Sequence, residues 1–325
     1  MRRRHFNASA FVAALLLIVI EASPAAAQSS TGEGALEFLF PTGARSSGMG
    51  QAAGASATGS EALWFNPALV ARSGREVGLH VAKSLTIDTD ASGSILIPVQ
   101  RVGTFALLTR YFNEATLPAT DSTGENQTGT LTITSAILAA TFASPITSRL
   151  SLGLTYKLLR RSLNCTGVCT QKGSSQTFAL DLGAQYLVAK DSSMSFGFAL
   201  TNAGPKFQVH DASQADVLPV RADFGVCLSP RFTDMPKDAR INLAADLVSR
   251  VSGGYSPGFR SGAELTWQAR YQARGGYVVN GPFGSGATFG LGFSTGKLQI
   301  DLARVLSNTV SSSDSPTYLS LRYSF

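Results

Sequence analysis

From residue 77 onward, apolar side chains fall on every second position in segment after segment. Successive side chains of a strand point to opposite faces, so a period of two reads as sheet and excludes a helical fold for most of the chain. Leu152, Leu154, Tyr156 and Leu158 alternate with Gly153, Thr155 and Lys157. Met194, Phe196, Phe198 and Leu200 alternate with Ser195, Gly197 and Ala199, and Ile241, Leu243, Ala245 and Leu247 with Asn242, Ala244 and Asp246. Fourteen such segments begin near Val77, Ser92, Val102, Thr130, Leu150, Gln176, Met194, Val220, Ala239, Phe259, Arg270, Gly286, Leu298 and Thr317.

The residues between the apolar ones decide where such a sheet lives. A solvated face would be uniformly charged, yet here Gly, Ser, Thr and Ala dominate, with an occasional Asp, Glu or Arg. Charged residues make up 15% of the chain, against roughly 25% in an average soluble domain. No stretch approaches the ~20 apolar residues of a spanning helix, while most segments match the ~9–11 of a tilted membrane strand. The expectation is an all-β fold: a transmembrane antiparallel barrel of about fourteen strands, apolar outside and polar within. A soluble sandwich shows the same alternation and is the competing architecture.

Spacing and chain ends favour the barrel. Links after even-numbered segments are brief, apart from residues 230–238; links after odd-numbered ones include residues 112–129, 162–175, 202–219, 248–258 and 306–316. Short turns at one end and long loops at the other are the pattern of outer-membrane barrels. Tyr111, Phe112, Trp267, Tyr277 and Tyr323 fall near segment ends, where amphipathic rings favour the membrane interface. The chain stops on Phe325, which reads as an outer-membrane sorting signal on the final strand.

The first residues combine Arg2, Arg3 and Arg4 with an apolar run from residue 11 to 20 and small residues at Ala25, Ala26 and Ala27. That is a secretory signal peptide over residues 1–27, implying Sec export to the cell outer membrane. Residues 28–76 do not alternate and are rich in Gly, Ala and Ser; residues 61–65 suit a short helix, and Pro67 forces Asn66 to be extended. A lumen fourteen strands around is too wide for wall side chains alone to fill. The segment is therefore expected to fold inside as a plug, ahead of a barrel over residues 77–325. Arg45 is its only basic residue before Arg72, so it needs an acidic partner; the candidates on the lumen face are Asp181, Asp246, Glu264 and Asp301.

Several stretches carry a resemblance. Residues 38–50, with Gly43, Ala44, Arg45, Gly48, Met49 and Gly50, are followed by Asn66-Pro67-Ala68. Further on come Asn202-Ala203-Gly204-Pro205, Leu218-Pro219-Val220-Arg221, Arg274-Gly275-Gly276-Tyr277 and Thr288-Phe289-Gly290-Leu291-Gly292. In order and spacing this series resembles the PorV/PorQ family, within the wider FadL-like group of outer-membrane barrels. Gly59-Ser60 and Leu69 depart from it: the family usually has an acidic pair before the turn and a glycine after it. The resemblance to PorV/PorQ implies an accessory of type IX protein secretion that holds secreted proteins or secretion machinery. The FadL-like kinship implies, as the alternative, passive transport of hydrophobic small molecules.

Catalysis finds no support in the sequence. Gly254-Tyr255-Ser256-Pro257-Gly258 matches a nucleophile-elbow pattern, but that motif requires a later histidine, and His5, His80 and His210 all precede it. No cofactor, metal or nucleic-acid motif is present. Cys165 and Cys169 are close enough for a disulfide in an oxidising compartment, while Cys227 falls on the lumen face as a free thiol. Lys157, Arg160, Arg161 and Lys172 place positive charge around the same loop, suiting contact with anionic lipopolysaccharide. The expected partners are outer-membrane lipid and lipopolysaccharide around a monomeric barrel.

Overall fold

The computed structural model describes residues 32–83, 89–120, 127–167, 173–188, 193–207, 215–232, 235–251, 257–282, 284–307 and 315–325. The signal-peptide residues 1–27, Cys169 and Lys172 lie outside them. The alternating segments form fourteen strands. In order these are β1 (Glu76–Lys83), β2 (Thr89–Val99), β3 (Gly103–Thr120), β4 (Gln127–Pro145) and β5 (Leu150–Gly167). There follow β6 (Gly173–Leu187), β7 (Met194–Ala203), β8 (Arg221–Leu228), β9 (Ala239–Arg250) and β10 (Gly258–Trp267). The last four are β11 (Tyr271–Gly281), β12 (Gly284–Ser294), β13 (Leu298–Ser307) and β14 (Thr317–Ser324). Each pairs antiparallel with its neighbours in sequence, and β14 pairs with β1 to close the barrel.

Burial along the strands separates the barrel from a soluble sandwich. A sandwich buries its apolar face; here that face is the exposed one. Leu79, Leu182, Leu291 and Phe289 are 53%, 53%, 65% and 57% exposed, whereas Thr155, Asp181 and Asp301 are fully enclosed. An apolar belt facing outward over a polar interior is stable only when lipid is the solvent. Aromatic residues gather at the short-turn end, where Trp267 packs on Tyr271 and Tyr323 stacks on Phe325. Phe112, expected at the membrane interface, instead points inward and is fully buried.

Two of the expected long loops are largely strand. The expected loop at residues 112–129 is occupied by the end of β3 and the start of β4, and that at 162–175 by the ends of β5 and β6. These four strands run 15–19 residues, beyond the ~9–11 that a bilayer needs. Threonine and β-branched residues there extend the ladder past the membrane. A bulge between Asn113 and Ala115 shifts the register of β3 on β4 as it leaves the lumen-facing run.

Candidate functional site

Residues 33–75 thread the barrel interior as short helical turns, and nearly every side chain in residues 40–71 is buried. The helix Ala44–Gly48 lies against β12, β13 and β14, where the Ala44 N–H donates to Ser320 Oγ at 2.7 Å. At its end the chain touches the wall backbone to backbone. A Cβ on Gly276 would stand 2.4 Å from the Gly50 nitrogen, and one on Gly262 would stand 2.2 Å from the Met49 carbonyl oxygen. Glycine is required on the wall for the segment to approach this closely.

Arg45 is the electrostatic anchor. Its guanidinium makes two hydrogen bonds of 2.9 Å to Glu264 and a third, 2.8 Å, to the Ser56 carbonyl. Glu264 also accepts from Arg274 at 2.6 Å and Asn242 at 3.0 Å. Arg274 continues to Asp301 at 2.7 Å, and Asp301 to Arg322 at 3.2 Å, so one ion-pair chain runs along β10, β11, β13 and β14. Burial disfavours the charge on Arg45, but Glu264 and Glu61 outweigh it and hold the group above its ordinary value. Glu61 also accepts from the backbone N–H groups of Arg45 and Ser46 at 3.1 and 2.7 Å, tying two inner helices together.

The Asn66-Pro67-Ala68 turn docks on the opposite wall. Asn66 is extended (φ −151°, ψ 105°), and its side-chain oxygen accepts from Ala68 N–H while its amide donates to the carbonyls of Gly54 and Ala184. Gly153 and Gly183 provide the landing; a Cβ on Gly183 would sit 2.2 Å from Asn66 Oδ1. Gly59, one of the departures from the family pattern, has φ +58° and lies over the Glu76 carboxylate. Ser60, beside it, is bonded to Glu76 and to His80, whose second ring nitrogen meets Ser320.

All four acidic candidates are buried inside the barrel. Only Glu264 meets Arg45. Asp246 accepts from the Gly54 N–H at 2.7 Å, Asp181 pairs with Lys157 at 2.7 Å, and Asp301 serves the barrel's own arginines. The basic cluster expected at a loop rim is divided: Lys157 and Arg161 face inward, paired to Asp181 and Glu37, and Arg160 is exposed. Cys165 is disulfide-bonded and Cys227 is a free thiol. Phe325 directly follows β14, its N–H bonded to the Arg75 carbonyl beside the start of β1.

Three features escaped sequence reasoning. Trp64 lies between two cations, with Arg110 and Lys157 each 4.5 Å from its ring centroid. It belongs to an apolar cluster with Phe38, Leu63, Leu96, Leu108, Phe112, Ile137 and Leu159, which lies under β2–β5 among the buried ion pairs Asp90–Arg110 and Lys157–Asp181, while the lumen under β10–β14 holds the longer ion-pair chain. Glu33 and Glu37 fasten the start of the segment, Glu33 to Arg221 and Arg250 and Glu37 to Arg161. Phe207, after β7, and Leu218, before β8, are buried in the same apolar cluster. A sequence clue did exist: acids and aromatics in a non-alternating segment need partners, and the inward-facing strand positions offered unmatched cations.

No protein family model and no curated protein matches the chain. Among solved structures it is similar to the Ralstonia pickettii toluene transporter TbuX, with 15% identity over 88% of this chain and 99% of that one, at a TM-score of 0.59. The Pseudomonas putida toluene transporter TodX matches at 14% identity over 90% and 98% of the two chains, TM-score 0.59. A Pseudomonas aeruginosa FadL homologue matches at 14% over 89% and 99%, TM-score 0.55. The fold is that of FadL-like outer-membrane barrels.

Proposed function

We propose that this chain is a non-enzymatic, passive channel for hydrophobic small molecules in the outer membrane, closed at rest by residues 33–75. The observation that carries the reading is an apolar cluster inside the lumen, with further apolar pairs above it on the same wall. Register places Leu117 beside Leu131, and Ile133 beside Leu163, above the membrane. In β4 and β5 these positions share a face with the buried Ile137 and Leu159, separated from them by Ser135 and Arg161, both bound to Glu37 of the inner segment. Below that step the cluster takes in Leu108 and Leu96, where Phe38, Leu63 and Trp64 of the inner segment occupy the lumen. A water-filled pore has a polar interior, and an apolar cluster of this size inside the lumen departs from that pattern. The likeness to toluene transporters supports the same reading, whereas the role in type IX secretion rests on sequence motifs alone.

In this reading the short-turn end with Phe325 faces the periplasm and the extended β3–β6 strands face outward. The monomeric barrel contacts outer-membrane lipid and lipopolysaccharide after Sec export and removal of residues 1–27. The test is uptake in cells whose own channels of this kind have been deleted, read by a reporter responsive to toluene. Expression should raise the rate of induction, and Ile137→Asp with Leu159→Asp should abolish the gain. Induction no faster than in cells without the protein sinks the proposal. In planar bilayers, deleting residues 33–65 should convert a closed barrel into a steady pore; unchanged conductance would mean something else closes the lumen.

A further inference from the structure

At the short-turn end, the fully described links carry charge of one sign. Residues 100–102, 146–149, 268–270 and 295–297 each contain a single charged residue, and in every case it is a cation: Arg101, Arg149, Arg270 and Lys297. Arg75, immediately before β1, adds a fifth. The closed ladder sets these positions one after another along a single arc, from β10 through β14 to β1 and on to β5. The links from β6 to β7 and from β8 to β9 are only partly described and form no part of it. Backbone hydrogen bonds hold the turns in place: Arg270 N–H donates to the Trp267 carbonyl at 3.0 Å, and Ser324 N–H to the Lys297 carbonyl at 2.8 Å.

All five residues are exposed, and none has an ion pair among the described residues. Described acids at this end are few. Glu76 is buried and bonded to Ser60, Asp238 is exposed beside Gln268 at one limit of the arc, and Phe325 brings its backbone carboxylate beside Arg75. A rim that needed only hydration would mix the two signs. The same arc carries an aromatic belt: Phe105 lies against Phe142, Tyr271 against Trp267 and Phe293, and Tyr323 against Phe325. Such rings settle at the membrane–water interface, so cations on the turns just beyond them stand among the lipid headgroups. Cations at that level are attracted to anionic lipid.

We propose that this arc is a binding surface for anionic phospholipids, whose headgroup phosphates are held by the cations of the turns. Guanidinium groups match phosphate geometry with paired hydrogen bonds, and four of the five cations are arginine. A band that follows the perimeter suits a layer of lipid around the barrel. An acidic protein would need the charges gathered on one face. In the orientation of the channel reading these lipids belong to the periplasmic leaflet; the inference itself needs only the barrel and does not depend on transport.

Trp267 reports on the arc without a label. The chain has two tryptophans; Trp267 is exposed on the belt beside Arg270, and Trp64 is buried in the lumen. The full chain is reconstituted in phosphatidylcholine vesicles holding a small fraction of brominated lipid, which quenches Trp267 according to its local concentration. Brominated phosphatidylglycerol should quench at least threefold more than brominated phosphatidylcholine at the same mole fraction, and the difference should shrink with salt. The quadruple variant Arg101→Gln, Arg149→Gln, Arg270→Gln, Lys297→Gln should abolish the difference. The replaced residues are exposed, so the barrel should survive, and unchanged heat-dependent gel mobility verifies that. Equal quenching by the two lipids, or an unaffected quadruple variant, overturns the proposal. Salt-sensitive binding of poly-glutamate with no preference between the lipids also overturns it, assigning the arc to an acidic protein. Because the readout is lipid proximity, loss of toluene uptake with an intact phosphatidylglycerol preference would reject the channel alone.

Discussion

At the scale of single residues, the interior is governed by the cost of enclosed charge. Removing one partner of a buried ion pair leaves the other uncompensated, at about 3–5 kcal/mol. Glu264→Ala removes the shared partner of Arg45 and Arg274, so it should lower unfolding stability in detergent by about that much. Arg45→Met should cost distinctly less, because Glu264 keeps Arg274 and Asn242. Denaturant unfolding of the two variants decides, and equal losses would contradict the clamp. Glu33 makes a pH prediction. Burial opposes its charge, but Arg221 and Arg250 outweigh that and hold the carboxyl below its ordinary value of 4.5. Its stabilising effect is therefore complete above pH 4.5 and lost as pH falls through the lowered folded value. Hydrogen-exchange protection of residues 33–40 should hold down to about pH 4.5 and decline below it. Glu33→Gln should soften that decline, and an unaltered acid limb would remove Glu33 from the account. Cys165 and Cys169 are expected to be joined to each other. Two alkylatable thiols in the non-reduced peptide, found by mass spectrometry, would end that expectation.

At the scale of elements, the inner segment and the strands beneath it fit through glycine. Gly153 and Gly183 on β5 and β6 leave room for the Asn66-Pro67-Ala68 turn, and Gly262 and Gly276 on β10 and β11 receive Met49-Gly50. Gly183→Val would drive its Cβ into Asn66 Oδ1 and the Pro67 ring. Overpacking of this kind costs about 1–3 kcal/mol, and here the soft side is the segment, because the strand is held by two ladders. The variant should show faster proteolysis within residues 33–75 and higher resting conductance. Gly93→Ala is the control: its nearest neighbour is a Leu79 methyl at 3.6 Å, so conductance should not change. If the two variants behave alike, the turn does not depend on that landing.

At the scale of the whole molecule, closure leaves no strand edge unpaired within the membrane, which is what allows a sheet to span lipid. A closed ladder with an occupied lumen should resist detergent. The protein should migrate faster on gels unheated than boiled, and its barrel should survive protease in detergent while unheated. Identical mobility with rapid digestion would refute the architecture.

The strands were legible in the sequence because their rule is local. Period two, the threshold length of a membrane strand and the scarcity of charge all act within ten residues, and each of the fourteen segments marks a strand. The extended turn at Asn66 was legible for the same reason, since proline acts on its immediate neighbour. Alternation alone could not say which face meets the solvent; the exposure of Leu79 beside the burial of His80 decides that. Nor could it separate long loops from strands that outrun the membrane, because β3 past Phe112 and the first residues of β6 carry no apolar alternation. The pairing of Arg45 was narrowed to four carboxylates by charge and face, and the choice of Glu264 belongs to tertiary structure. Barrel radius, strand stagger and the path of the inner segment set which acid lies within 2.9 Å, and those are sums over all fourteen strands.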